Sequence, residues 1–452
     1  SLHDALPIWS SYAVLVRTAP GRARIAMSHS MPGSTAASFA GQPSAARAAF
    51  ACMVVLAVAL GVGRFAFTPL LPLMLRGGAL DLQGGGWLAS ANYAGYFVGA
   101  MTCALLHIEP GRVVRMGLAT TVVLTCAMGL VDVFWIWAAI RFVAGAVSAW
   151  TFVFASQWGL AYLARRGAHA WSGLIYTGPG IGIVVTGLFA GLLARHGAAA
   201  GWIGFGVLCA LLSIPIWRTF ADDGASHPSK AAGAAANTRR EADRHVPSEP
   251  HVRAQGAWLV LLYGLPGFGY IITATFLPVI ARHALPGSAW PDLFWPMFGA
   301  ALIPGALVAA RVPPKWDNRS LLAVCYLLQA VGIALGIVFP SVAGFALGSI
   351  LIGFPFTAIT LFAMREARRL KGERAAGLMG YATAAYGFGQ IVGPLVAAPI
   401  AARVGSFSPA LWLAAGLLVG GAAGLAALAV WSTEARRNRS SASHAARARQ
   451  SR

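Results

Sequence analysis

Two stretches decide how this chain folds: GVGRFAFTPLLPLMLR at Gly61–Arg76 and GFGYIITATFLPVIAR at Gly267–Arg282. They align without a gap at an offset of 206, so that Gly61, Gly63, Leu71, Pro72 and Arg76 fall on Gly267, Gly269, Leu277, Pro278 and Arg282. A weaker match, LLARHG ending at Gly197 against IAARVG ending at Gly405, repeats at an offset of 208. Each stretch lies in a long apolar segment, so the duplicated unit is a block of membrane spans rather than a soluble motif.

Outward from the repeat, twelve apolar segments can be marked: 48–75, 85–108, 113–131, 134–163, 171–194 and 201–217 in the first half, and 257–281, 291–310, 320–339, 342–364, 376–402 and 408–431 in the second. The whole chain has 452 residues, 58% hydrophobic and only 11% charged, against about 25% charged in soluble domains. That balance excludes a soluble enzyme and predicts an all-α polytopic membrane protein of two pseudo-symmetric six-helix bundles. The expected organisation is a disordered tail (1–47), a first bundle (48–217), a polar linker without apolar periodicity (218–256), a second bundle (257–431) and a basic tail (432–452). Ser1–Ile8, SLHDALPI, resembles the translation of a sequencing-adapter oligonucleotide, and Met27 and Met31 are the expected starts.

The formal charge of +20 raises the possibility of a nucleic-acid partner, which would require the basic residues to gather on one face. They sit instead in short connectors. Of the 34 Lys and Arg, 28 fall in the two tails, the central linker and the alternate loops on one side, four fall in the opposite loops, and Arg64 and Arg141 lie within spans. Basic residues mark the cytoplasmic side, so both termini are expected there, in a bacterial inner membrane. The lipid bilayer and a small-molecule substrate are the expected partners, with no nucleic acid.

The run GVGRFAFTPLLPLM followed by GGWLASANYAGYFVGA closely resembles the YbfB/YjiJ-like branch of the bacterial major facilitator superfamily. The resemblance covers all twelve spans and implies parallel six-span repeats with a site between them near the membrane midplane, in a monomer. HIEPGRVVR at His107–Arg115 is an eroded form of the first loop motif and lacks its Asp. RVPPKWDNR is similar to the second-half counterpart, which gives Asp317 and Arg319 a gating role by resemblance. RFVAGAVSA from Arg141 resembles the span-four RxxxG motif, and GPGIG, with Pro179, resembles part of the span-five antiporter motif.

A charge in the hydrocarbon layer costs about 2.5–3.5 kcal/mol on insertion scales and calls for a partner or a water-filled cavity. Arg64 lies about sixteen residues into the first span, near mid-depth, with Gly61 and Gly63 leaving room for close approach. It reads either as a guanidinium that pairs a carboxylate or phosphate through two parallel hydrogen bonds, or as a structural Arg bonded to neighbouring carbonyls. Arg141, nearer a span end, reads equally as a structural cap. None of the fourteen Asp and Glu falls in the middle of a span, with Asp132, Asp292 and Glu109 at span edges and the rest in tails or loops. That leaves no buried carboxylate to carry a coupling proton and makes a small organic anion the natural counter-ion.

Polar and aromatic residues within spans complete the candidate substrate site: Asn92, Tyr93 and Tyr96 on span two, Gln157 on span four, Tyr270 and Thr273 on span seven, Thr357 on span ten, Tyr386 and Gln390 on span eleven. Asn92 and Tyr96, and likewise Tyr386 and Gln390, share a face at i and i+4. The repeat sets Tyr270 against Arg64. Hydrogen bonds between spans are the alternative role for each of these residues. Gly61, Gly63 and Gly267 are read as packing and hinge positions. Pro69, Pro72, Pro266 and Pro278 are expected to break spans one and seven so that the halves can rock. REARRLKGER at Arg365–Arg374 is expected to be a solvated loop. The five cysteines lie in apolar runs without a CxxC pair, and no HExxH or GxSxG occurs, so no metal, cofactor or catalytic residue is expected.

The resulting expectation is a secondary active transporter that moves a small organic anion by alternating access, coupled to a proton, to a counter-anion or to neither. Export of drugs or amino-acid derivatives is the alternative within the fold, and a membrane sensor or embedded enzyme the alternatives outside it.

Overall fold

The structure, a computed structural model, describes residues 43–221 and 250–450 apart from 79, 107, 314, 373 and 374. The expected leader as far as residue 42 and the linker at 222–249 lie outside the described residues. Twelve helical units follow one another: α1 (Ala45–Arg76), α2 (Leu82–Thr102), α3 (Pro110–Leu130), α4 (Phe134–Arg165), α5 (Ser172–Leu193), α6 (Gly197–Ile216), α7 (Pro250–Ala284), α8 (Pro291–Arg311), α9 (Asn318–Val338), α10 (Val342–Lys371), α11 (Ala375–Val404) and α12 (Ser408–Gln450). Eleven are long and apolar enough to cross a membrane. The exception is α2, whose Gln83, Ser90, Asn92 and triple glycine dilute its apolar content. Its Ser90 and Asn92 side chains bond to neighbouring helices, as described below.

The helix ends follow local chemistry. The Asp81 carboxylate accepts from Gly84 N at 2.7 Å and starts α2, and the Ser341 hydroxyl accepts from Gly344 N at 3.2 Å and starts α10, each satisfying an orphan donor of a first turn. Gly197 and Gly405, the paired glycines of the weaker repeat, both adopt positive φ, 83° and 74°. That conformation is easy only for glycine and ends α11 while opening α6.

Helices α1–α6 pack on one another, as do α7–α12, and the two bundles meet where α2 lies on α11, α5 on α8 and α1 on α7. Without a hydrophobic drive between helices in lipid, such contacts rest on close packing of small residues. The GPGIG segment of α5 shows why. A methyl group added at Gly182 would stand 2.7 Å from Gly61 Cα of α1, and one at Gly180 would stand 2.9 Å from the Gly299 carbonyl oxygen of α8. One glycine-rich turn therefore lets α5 touch its own bundle and the other bundle at once.

The structure corrects two expectations about the chain. First, only one of the two proline-bearing spans is broken. In α1, Ala57–Val62 is π-helical and Gly63–Ala66 forms a turn before the helix resumes at Phe67, whereas α7 runs unbroken through Pro266 and Pro278. Pro69 and Pro72 stand one turn apart and follow two glycines, so successive hydrogen bonds are lost together. The prolines of α7 are twelve residues apart, and each removes one bond from an otherwise intact ladder.

Second, Arg365–Lys371 is not a solvated loop but the last two turns of α10. Glu366 there is 1% exposed and takes two hydrogen bonds from Arg369, at 2.6 and 2.7 Å, with Arg319 Nε at 3.6 Å and Asn318 Nδ2 at 3.4 Å. The extension of α10 beyond the apolar run turns Glu366 toward the start of α9, which is why it is buried.

Replacing Gly182 with leucine is expected to force α5 away from α1 backbone to backbone. Overpacking of this kind costs about 1–3 kcal/mol or more. Size-exclusion chromatography with a thermal melt should show a lowered Tm or loss of the monodisperse species, while Gly191→Leu, which meets no neighbour within 4 Å, should behave as wild type.

Candidate functional site

The break in α1 sets the site. Pro69 has no N–H to give the Phe65 carbonyl, and that oxygen instead accepts from Thr68 N at 3.2 Å. The turn before it is widened, with Gly63 N on Val58 O at 3.0 Å and Phe65 N on Leu60 O at 3.1 Å, both five residues back. π-Helical insertions of this kind are rare and concentrate at functional positions. Here the irregular turn carries Arg64.

Arg64 is 6% exposed, and its guanidinium carbon lies 4.2 Å from the Tyr96 ring centroid, 5.1 Å from Phe65 and 5.2 Å from Tyr93. Its Nε and Nη2 have no hydrogen-bond partner among the described residues. Cation–π contacts are worth about 0.5–2 kcal/mol each. Three of them are therefore comparable with the insertion cost of the charge, and aromatic faces rather than an acid hold the guanidinium in place.

Arg141 answers a different need. Its Nη2 donates to the Arg64 carbonyl at 3.2 Å and its guanidinium sits 4.8 Å over Phe67, while Asn92 Nδ2 donates to the Arg141 carbonyl at 2.8 Å. Asn92 on α2, Arg141 on α4 and the broken turn of α1 thus form one brace. The Asn92 amide nitrogen is committed to backbone there, rather than turned toward the Arg64 guanidinium.

Opposite Arg64 stands a tyrosine stack from the second bundle. Gln390 donates to the Tyr270 hydroxyl; Tyr270 stacks on Tyr386 with centroids 5.9 Å apart; Tyr386 stacks on Tyr263 at 5.0 Å; and Tyr263 donates to Thr360 Oγ1 at 3.1 Å. Tyr93 joins the two halves of the site, its ring 5.2 Å from the Arg64 guanidinium and its hydroxyl 3.0 Å from Thr275 Oγ1 of α7. Tyr96, Gln157, Thr357 and Tyr386 are partly exposed. Thr273 faces elsewhere, into a small crevice shared with Gly332 and Ile333 of α9 and Ser349 of α10. Sequence reasoning passed over Tyr263, although it lies two helical turns before Tyr270 and so on the same face.

Beside the site the bundles are fastened by three hydroxyl bonds. Thr68 Oγ1 donates to the Ala274 carbonyl at 2.8 Å, Ser90 Oγ donates to the Ile391 carbonyl at 2.7 Å, and Tyr93 OH lies 3.0 Å from Thr275 Oγ1. Thr68 and Ala274 are equivalent positions of the repeat, 206 residues apart. Equivalent positions touch only where the pseudo-two-fold axis passes, so the axis runs between α1 and α7 one turn from Arg64. No group of three or more metal-ligating side chains occurs among the described residues.

The chain matches the family described as uncharacterised MFS-type transporter YbfB over residues 56–428. The chain belongs to that family. It is a secondary transporter of the major facilitator fold and a multi-pass membrane protein. Its fold is similar to that in the crystal structure of the nucleoside transporter NupG (D323A mutant), with a TM-score of 0.65 at 13% identity, covering 84% of this chain and 99% of that one. No curated protein matches its sequence.

Among the loop motifs of this transporter, Asp317 and Arg319 stand together at the start of α9. The Asp317 carboxylate accepts from Arg319 N and Nη2, both at 2.8 Å, and Arg319 Nη1 donates to the Leu428 carbonyl of α12 at 2.8 Å. Burial pushes the Asp317 carboxyl up, and the hydrogen bonds and charge of Arg319 more than offset this, holding it below its usual value. A carboxylate lowered in the fold stabilises fully above its unfolded value of about 3.9, and that contribution is lost as pH falls through the lowered value. The Tm difference between wild type and Asp317→Ala should therefore hold steady from about pH 5 to 8 and shrink below about pH 4.

Arg141→Ala removes the brace on the broken turn. It is expected to lower both Tm and transport, because it leaves the Arg64 carbonyl without its side-chain partner, while the bond from Asn92 to the backbone carbonyl of residue 141 remains. A variant that transports normally at unchanged Tm would show that the turn holds itself.

Proposed function

We propose that the protein transports a small organic anion by alternating access of its two six-helix bundles, with Arg64 as the group that holds the anionic head. The observation that carries this reading is the buried Arg64 guanidinium with two unpartnered nitrogens and no carboxylate beside it. A carboxylate or phosphate monoester offers two oxygens to Nε and Nη2, the parallel geometry in which arginine binds most strongly. The ring faces of Tyr93, Tyr96, Tyr270 and Tyr386 suit a flat apolar body behind that head, and Gln157 and Gln390 supply polar contacts. A neutral nucleoside or a cationic drug would leave the arginine uncompensated.

The one buried carboxylate among the described residues, Glu366, is held by Arg369 and Arg319 away from Arg64, so coupling is assigned to the anion itself, as a proton carried with it or exchange for another anion, with uncoupled transport as the remaining case. Asp317, Arg319 and Glu366 act as a latch among α9, α10 and α12 as the bundle moves, and the Gly61 and Gly63 turn with Pro72, the Pro179 segment and Gly267 with Pro278 accommodate the rocking. The count of basic residues supports both termini on the cytoplasmic side of a bacterial inner membrane, and the transporter works as a monomer.

A thermal-shift screen of purified protein against small carboxylates, phosphate monoesters, nucleosides and cationic drugs tests the reading. Binding to the folded form alone stabilises by about 2.7 kcal/mol at a hundredfold excess over Kd. At least one anion should raise the Tm of wild type and leave Arg64→Ala unchanged. Stabilisation by cations or neutral compounds only, undiminished in the variant, would make Arg64 structural.

A further inference from the structure

A cavity of about 830 Å³ lies between α7, α11 and α12, apart from the Arg64 site. Its floor exists because glycines let α7 and α11 come together: a methyl group at Gly389 would stand 2.5 Å from the Gly264 carbonyl oxygen. With no side chain to fill the seam, the groove stays open along both helices. Its walls are apolar, and Leu261, Tyr381 and Phe388 on its rim are 59%, 62% and 65% exposed, the pattern of a surface that faces hydrocarbon rather than water.

Among the described residues, the charged groups lining this groove are Arg253 and Lys371, and both are cationic. They stand at the same end, where α7 begins and α10 closes on its basic run. From Arg253 to Phe268 the groove follows fifteen residues of α7, about 22 Å at the helical rise. One leaflet is about 15 Å of hydrocarbon plus about 6 Å of headgroup region. The groove therefore matches one leaflet in length, with its cations at headgroup depth and its apolar walls at acyl depth.

We propose that this groove is a binding site for an anionic phospholipid, with the phosphate against Arg253 and Lys371 and an acyl chain along α7 and α11. Basic pockets between spans are a recognised means of holding acidic lipid headgroups, and here the charge is continuous with an apolar channel of matching length. The occupant grips two of the three second-bundle helices that meet the first bundle, α7 on α1 and α11 on α2. This proposal does not rest on the identity of the transported substrate.

Native mass spectrometry of the full-length protein, delipidated and then exposed to palmitoyl-oleoyl phosphatidylglycerol or phosphatidylcholine, tests it. Wild type should retain the phosphatidylglycerol about tenfold more than the phosphatidylcholine. The double variant Arg253→Gln with Lys371→Gln should lose that preference to within about twofold while keeping its Tm in detergent. Ala257→Phe, which narrows the groove without touching its cations, should lower retention of both lipids. Equal retention of the two lipids by wild type, a preference that survives the double variant, or retention of neither lipid would overturn the proposal. Competition by glycerol 3-phosphate as effective as that by phosphatidylglycerol would also overturn it, by making this a site for a free phosphate monoester.

Discussion

Everything near the centre of this transporter follows from one guanidinium buried within a span, with no acid beside it among the described residues. A charge there must be compensated, and the fold does so with ring faces from α1 and α2, which leave the hydrogen-bonding edge of Arg64 unspent. That solution requires an irregular α1, because a straight helix would not carry the side chain on a turn between two glycines and a proline. The irregular turn in turn needs support, which Arg141 and Asn92 supply from behind. The two buried arginines thus differ in what their Nη2 groups do. Arg141 donates Nη2 to the backbone and holds the fold, while Arg64 keeps both Nε and Nη2 unpartnered among the described residues.

The internal repeat explains what is shared and what is not. Thr68 and Ala274 meet at the axis because duplication placed α1 and α7 back to back there. Symmetry stops at the chemistry. The position that is Arg64 in the first bundle is Tyr270 in the second, α1 is broken where α7 is not, and the eroded first-half motif lacks the Asp that its second-half counterpart has as Asp317. Duplication fixed the geometry, and later divergence gave one bundle the charge and the other the tyrosine stack.

Much of this was legible in the residues. Twelve apolar segments depend on bulk partition into lipid, which composition reports directly, and with the 206-residue offset the two bundles follow. Arg64 stood out because an intramembrane charge is rare. The roles of Asn92 and Thr273 were less legible, since sharing a helix with a site residue does not say which neighbour the side chain meets, and both face other partners. Glu366 was missed because hydropathy marks where an apolar run ends, not where the helix ends. The brace from Arg141 depends on a contact 77 residues away that no local pattern encodes.

The central claim is that the free edge of Arg64 receives the anionic head of the substrate. Its most direct test is an experimental structure determined with a stabilising anion bound. The account predicts two oxygens of that anion against Arg64 Nε and Nη2, with its body between Tyr96 and the Tyr270 and Tyr386 rings. An anion seated elsewhere, with the Arg64 nitrogens bonded to backbone carbonyls, would contradict it.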